Sequence, residues 1–171
     1  MPNHSPQRVL LFCLSGLGDT VMTSPAIAAL AAQPERFRMT LLTMFRSVTD
    51  YLLEQCFADD IRFVDFLKGR KSEVFGKLWE LRRERFDISV ITYPHNRIEY
   101  NAVGRVIGAR RRIGFRFQRQ RHVNLPWLNN IVFDEQPQLH VVQENLRWAA
   151  ELTGLSVDRL PDDMIFRASE Q

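Results

Sequence analysis

Asp19 is the residue best placed for chemistry in this 171-residue chain. It follows the apolar run of residues 9–14 and the turn Ser15, Gly16, Leu17, Gly18, and it stands at the mouth of a helix. A carboxylate so placed lies at the carboxyl end of a buried strand, where α/β sheets bind their ligands. Within hydrogen-bond reach of a substrate hydroxyl it acts as a general base. The same spacing also suits a plain N-cap, with Asp19 accepting an N–H of the first helical turn. Gly16 and Gly18 carry two readings as well. They bring backbone N–H groups against an anionic or hydroxylated ligand, or they satisfy the sterics of a sharp turn. A dinucleotide site fits poorly: Asp19, Thr20 and Val21 follow the second glycine, so the third glycine of that fingerprint is missing. No acid closes the second strand at Thr43 and Met44, and no Gly-Lys-Ser/Thr run exists for a phosphate loop.

A second group, Tyr93, Pro94, His95, Asn96 and Arg97, follows another strand and is expected at the same sheet edge. Asn96 and Arg97 either hold hydroxyls, carboxylates or phosphates of a ligand, or form an Asn cap beside a solvated Arg. His95 reads by default as a loop histidine. Arg105, Arg110, Arg111, Arg112, Arg116, Arg119 and Arg121 crowd one stretch. Arg116, Arg119, Arg121 and His122 are expected in a loop with Phe115 and Phe117 that covers the cleft; the plainer alternative is solvated surface. His140 opens a helix, where a structural hydrogen bond is the default. The histidines show no metal-ligand spacing with Cys or acids, so no metal is expected.

The elements that must position these groups alternate between two periods. Residues 9–14, 39–44, 61–66, 88–92, 112–115 and 131–133 read as strands, the first a continuous apolar run covered on both faces. Between them lie helices. One begins at the glycine turn and meets Ser24 and Pro25, a cap-and-proline pair that suggests a kink or restart. Others span 48–56, 71–85 and 97–107, and the last runs to Gly154. The 71–85 helix is amphipathic, with Val74, Phe75, Leu78 and Leu81 as its expected core face. Strand–helix alternation predicts an α/β, Rossmann-like open sheet, mainly parallel, with helices on both faces. The tail after Leu155 has no clear core pattern and reads as a linker.

Composition sets bounds. At 45% hydrophobic and 25% charged the chain is an ordinary folded domain. No apolar run is long enough to span a bilayer and no signal-peptide core is present. Cys13 and Cys56 make no disulfide framework, which points to a cytoplasmic location. Net charge is +3 and the pI is near 9.2, so an anionic substrate or a membrane surface suits the basic cluster. No RNP, KH or helix-turn-helix pattern is present, and no nucleic-acid partner is expected.

Four segments in order carry a resemblance. Ser15, Leu17, Gly18, Asp19, Thr23, Pro25 and Ala26 resemble the opening of glycosyltransferase family 9, the lipopolysaccharide heptosyltransferases. Residues 81–88, 107–115 and 140–155 resemble three later segments of that family. Cys13 stands where the family usually has Lys or Arg, and Gly16 where it often has Ser. The resemblance implies one half of a GT-B architecture: a Rossmann-like acceptor-side domain over residues 1–155, then the start of an interdomain linker or tail over 156–171. The C-terminal donor domain has no counterpart here. By resemblance Asp19 is the catalytic base of an inverting glycosyltransferase of lipopolysaccharide or related surface-glycan synthesis. Ser15, Gly16, Gly18, Asn96, Arg97, Arg116, Arg119 and Arg121 would contact an anionic glycan or glycolipid acceptor. No cofactor is implied. An ADP-heptose-like nucleotide sugar is expected only with a donor domain, missing or separate, so this chain alone should be inactive. Peripheral contact with the inner membrane accompanies that role. The alternative is a non-catalytic glycan-binding or assembly module.

Overall fold

The computed structural model describes residues 5–55, 58–95, 97–118 and 124–164. Six strands are described: β1 (Gln7–Cys13), β2 (Phe37–Thr43), β3 (Asp60–Phe63), β4 (Ile88–Ile91), β5 (Arg111–Arg116) and β6 (Ile131–Asp134). They form one sheet in the order β3-β2-β1-β4-β5-β6, and every pairing is parallel. Five α-helices alternate with them: α1 (Leu17–Ala31), α2 (Arg46–Gln55), α3 (Lys71–Arg83), α4 (Ile98–Ile107) and α5 (Val141–Thr153). The chain walks outward from β1 through β2 to β3, then returns to β4 on the other side of β1. The β1/β4 boundary is therefore the topological switch point.

β1 shows why a continuous apolar run makes the central strand. Val9, Leu11 and Cys13 enter one core with Ile27 and Leu30 of α1, Leu52 of α2 and Trp148 of α5. Leu10, Phe12 and Leu14 enter the other, with Leu78 and Leu81 of α3 and Ile107 of α4. The period-two alternation sends neighbours to opposite faces, and both faces are covered. Each fully buried Leu or Phe contributes roughly 1.5–3 kcal/mol relative to exposure.

α1 runs unbroken through Pro25 instead of restarting there. Proline removes the N–H that would bond the carbonyl four residues back. That carbonyl belongs to Val21, and the Ser24 hydroxyl donates to it at 2.7 Å. Thr20 and Thr23 add hydroxyl bonds to the Gly16 and Asp19 carbonyls, at 3.1 and 2.9 Å. Gly108 and Gly154 close α4 and α5 in the left-handed region, at φ 77° and 75°, where a Cβ is disfavoured.

Three expectations change. Phe75 is 62% exposed, so the core face of α3 consists of Val74, Leu78 and Leu81. Phe115 and Phe117 are buried at 2% and 5% and belong to the main core, not to a covering loop. Both pack on Tyr93, with ring centroids 5.3 and 5.5 Å away. The chain beyond Leu155 is also tied down: Val157–Arg159 forms a 3₁₀ turn, and Leu160 is buried in the α1/α5 core. No described helix is long and apolar enough to cross a membrane.

Candidate functional site

At the carboxyl edge of the sheet, over the β1/β4 boundary, lies a hollow of 230 Å³. Leu14, Ser15, Gly16 and Asp19 supply the β1–α1 side, Met44 and Phe45 the end of β2, and Pro94, His95, Arg97 and Tyr100 the β4–α4 side. Two of the expected groups, one following β1 and the other β4, are thus brought to one hollow. A second hollow of 180 Å³ shares Met44, Arg97 and Tyr100 and extends the groove toward Phe66, Leu67 and Val103. Larger hollows lie elsewhere. One, of 520 Å³, sits between β3 and α3, where Arg62 and Glu84 pair across it at 3.3 Å. Another, of 610 Å³, sits at the amino edge of the sheet. Neither lies at the edge where parallel sheets present strand ends, loops and helix N-termini together.

Asp19 is the third residue of α1, and Gly16 is the N-cap. The plain N-cap reading of Asp19 is therefore corrected. Its carboxylate makes no hydrogen bond and no ion pair with a described residue, and it is half-buried in the hollow's wall. No side chain caps α1 either. The first-turn N–H groups of a helix lack intrahelical acceptors, and here the N-cap Gly16 and the first-turn Asp19 both line the hollow. The glycines are not demanded by the turn. Gly16 sits at φ −66°, ψ 174°, and a Cβ on either Gly16 or Gly18 would meet nothing within 4 Å. What they leave is open space over the helix mouth. Gly16 and Ser15 line the hollow; Gly18 is exposed beside it. Cys13 does not reach it: the thiol is buried in the α1/α5 core, and desolvation pushes it up to about 12.

The opposite wall is set by a chain of bonds from the sheet outward. The Thr92 hydroxyl donates to the Phe12 carbonyl at 2.8 Å, joining the ends of β4 and β1. His95 Nδ1 lies 2.5 Å from the Thr92 carbonyl and 3.0 Å from its hydroxyl. A carbonyl only accepts, so Nδ1 carries the proton and Nε2 is left as an acceptor. Nε2 is buried without a partner among the described residues. The imidazole packs edge-on to Tyr100 at 5.4 Å, and desolvation lowers it from 6.5 to about 4, so it is neutral at pH 7. His95 is thus a buried wall residue, not a solvated loop histidine. Arg97 is the N-cap of α4 and is exposed over both hollows, which corrects the Asn-cap reading. Asn96 lies outside the described residues.

Asn145 of α5 fixes this loop from behind, and sequence reasoning missed it. Its Oδ1 accepts the Tyr93 N–H at 3.0 Å and its Nδ2 donates to the Tyr93 carbonyl at 3.0 Å. It also accepts from Trp148 Nε1 at 3.0 Å and donates to the Val141 carbonyl. The sequence carries no signal of this beyond an amide beside the apolar stripe Val142, Leu146 and Ala149; the structure buries it fully. Tyr100, in the first turn of α4, was missed too; it is three residues beyond Arg97 and so projects from the same end of the helix.

The arginine stretch does not form one patch. Arg111 pairs with Glu151 of α5 at 3.0 Å, and Arg112 donates to the Ala109 and Leu128 carbonyls. Arg116 ends β5 and pairs with Asp134 at 3.1 Å, away from the hollow's wall. Arg119, Arg121 and His122 lie outside the described residues. His140 caps α5 as expected: Nδ1 accepts the Val142 N–H at 3.3 Å, and Gln143 returns a bond to the His140 N–H at 3.2 Å. Among the described residues no cluster of three His, Cys, Asp or Glu stands ready for a metal.

An all-parallel sheet in this order, with helices alternating between its strands, defines a Rossmann-like α/β domain. The solved structures it is similar to are specific. E. coli heptosyltransferase WaaC with ADP superposes with a TM-score of 0.73 at 16% identity, covering 92% of this chain and 50% of that one. WaaC with ADP-2-deoxy-2-fluoro heptose gives 0.69 at 14% identity, covering 92% and 52%. A family 9 glycosyl transferase from Veillonella parvula DSM 2008 gives 0.65 at 18%, covering 90% and 43%. The fold is therefore that of heptosyltransferase-like proteins, and the chain spans about half their length. No family model matches the chain, and no curated protein does.

Proposed function

We propose that this chain is the acceptor-binding half of an inverting, heptosyltransferase-like glycosyltransferase of lipopolysaccharide or related surface-glycan synthesis. The observation that carries the reading is the Asp19 carboxylate, without a partner among the described residues and lining a hollow at the switch point of a heptosyltransferase-like fold. An acceptor hydroxyl donates its hydrogen bond to Asp19. As that oxygen attacks the anomeric carbon of the sugar donor, the proton passes to the carboxylate and the bond to the nucleotide diphosphate breaks. Arg97 offers a two-pronged guanidinium to a carboxylate or phosphate of the acceptor. Open space at Gly16 and the uncapped N–H groups of α1 leave room and donors for its hydroxyls. The ADP-heptose-like donor is held by a second domain, so the reaction needs both halves, at the cytoplasmic side of the membrane that carries the acceptor. A second reading, a non-catalytic glycan-binding or assembly module, draws on Arg97 and Ser15 in the hollow's lining, which would hold a glycan with no chemistry at Asp19.

The test is transfer from ADP-heptose to a truncated lipopolysaccharide acceptor, with this chain alone and together with a donor-side domain. The pair transfers and the chain alone does not. Asn at position 19 (Asp19→Asn) lowers turnover by roughly a hundredfold or more, the usual range for losing a general base. Unchanged turnover in the folded Asp19→Asn variant rejects the base. Acceptor binding with no transfer by any pairing leaves the binding module.

A further inference from the structure

The outer flank of α3 carries a feature that the acceptor hollow does not use. Lys71, Phe75, Trp79 and Arg83 recur every four residues, and Arg82 adjoins them, so they form one stripe along the helix. Phe75 is 62% exposed and Trp79 45%. Their rings stack on each other, with centroids 6.4 Å apart and planes at 15°. The Arg82 and Arg83 guanidinium groups stand 5.9 and 6.0 Å from the Trp79 ring. No acid stands between Lys71, Phe75 and Trp79 on the stripe. Glu73 lies on the other flank of the helix, 4.0 Å from Arg70, and Glu80 lines the β3–α3 hollow beside Arg83 at the stripe's end. Just before α3 the chain adds Leu67, 60% exposed, with Lys68 and Arg70.

We infer that this α3 stripe docks on an anionic phospholipid bilayer, its aromatic rings seated at the interface and its cations on the headgroups. Stacked aromatics flanked by Lys and Arg match both halves of a bilayer surface: an apolar boundary and a layer of negative charge. A second copy of the chain is a poor occupant. A two-fold contact through this flank sets the same cations against themselves. Leu67 sits in the wall of the hollow that shares Arg97 and Tyr100 with the Asp19 pocket. Docking through α3 therefore holds the mouth of that pocket near the bilayer, a consequence that rests on the functional reading; the docking itself does not.

The experiment is co-sedimentation of the full chain with vesicles of phosphatidylethanolamine and phosphatidylglycerol, against pure phosphatidylcholine. The chain sediments with the anionic vesicles only, and salt weakens it. Lys71→Gln and Arg83→Gln each lower the partition coefficient roughly fivefold at low salt, by the attraction of one basic residue to such a surface. Phe75→Ser combined with Trp79→Ser lowers it on the order of tenfold or more, by loss of apolar contact. Both side chains are exposed, and an unchanged melting temperature shows the variants fold. Equal binding to phosphatidylcholine, or undiminished binding by the Phe75/Trp79 variant, overturns the inference. So does a dimer that this variant dissociates with no vesicle binding, which hands the face to a second copy. None of these readouts depends on sugar transfer, so failure here is distinct from failure of Asp19 as base.

Discussion

Replacing Asn145 by Ala should be among the most damaging single changes outside the apolar core. The side chain is fully buried and closes four hydrogen bonds, two of them around the Tyr93 peptide. Truncation strands the Tyr93 N–H and the Trp148 indole N–H, and Trp148 is 0% exposed. A buried donor left without a partner costs about 1–3 kcal/mol, so the loss is roughly 4 kcal/mol. That is a large share of the ~5–15 kcal/mol that holds a domain folded. For a chain of this size the melting temperature falls by about 10 °C. Urea unfolding by linear extrapolation measures the loss directly. Asn145→Asp is the control: it keeps an acceptor for both N–H groups but sets a second oxygen against the Tyr93 and Val141 carbonyls. At pH 7 it is also destabilised, and relative to wild type it recovers as pH falls, because a protonated carboxyl again supplies a donor. A loss below ~1 kcal/mol for Asn145→Ala, the scale of one ordinary hydrogen bond, would refute the claim that α5 clamps the β4 loop.

Two further outcomes are expected. Gly114→Ala places a Cβ 2.4 Å from Asn129 Nδ2 and 2.9 Å from its Cγ, where Asn129 donates to Asn101 at 2.5 Å. Overpacking of this kind costs roughly 1–3 kcal/mol, so thermal unfolding should shift downward; an unchanged midpoint means the buried asparagines yield freely. His95 gives a pH signature. Its folded value is lowered from 6.5 to about 4 by desolvation, so between those values the unfolded state binds the extra proton. Stability is therefore fully present above about 6.5 and is lost as pH falls toward about 4. Between pH 7 and 5 the drop attributable to His95 is roughly 2 kcal/mol, and His95→Phe should flatten the urea-unfolding profile by that amount. A parallel profile in the variant shows that the imidazole is not buried neutral.

The sheet was legible because its strands announce themselves. A run such as Val9 to Leu14 has no polar face, and in an alternating chain only a strand covered on both sides needs none. Strand boundaries shifted by at most three residues, and β5 gained Arg111 and Arg116 at its ends because charged side chains sit at strand ends as easily as in loops. The α3 face was half right. Val74 and Phe75 are adjacent, and a 3.6-residue period admits either; only the packing against the sheet turned Val74 inward and left Phe75 outside. Asp19 was placed correctly at the helix mouth, yet the cap moved to Gly16, since spacing does not resolve a three-residue difference at a helix start. The buried polar groups were illegible. Asn145 meets Tyr93 from 52 residues away, and Asn129 meets Asn101 across 28. No local pattern encodes such a partner, and composition assigns asparagine to turns.

The packing of α5 on α1 bears on how the protein is made. β1 and α1 leave the ribosome well before α5, the last helix of the described fold. At about 5–20 residues per second, α5 follows β1 by on the order of ten seconds. Throughout that interval Ile27, Leu30 and the odd-numbered side chains of β1 lack the cover that Trp148 and Ala149 provide. The helix that carries Asp19 gains that cover only once α5 has been made. Nascent chains stalled before residue 141 should therefore carry an open apolar face, the kind of surface that chaperones bind during synthesis.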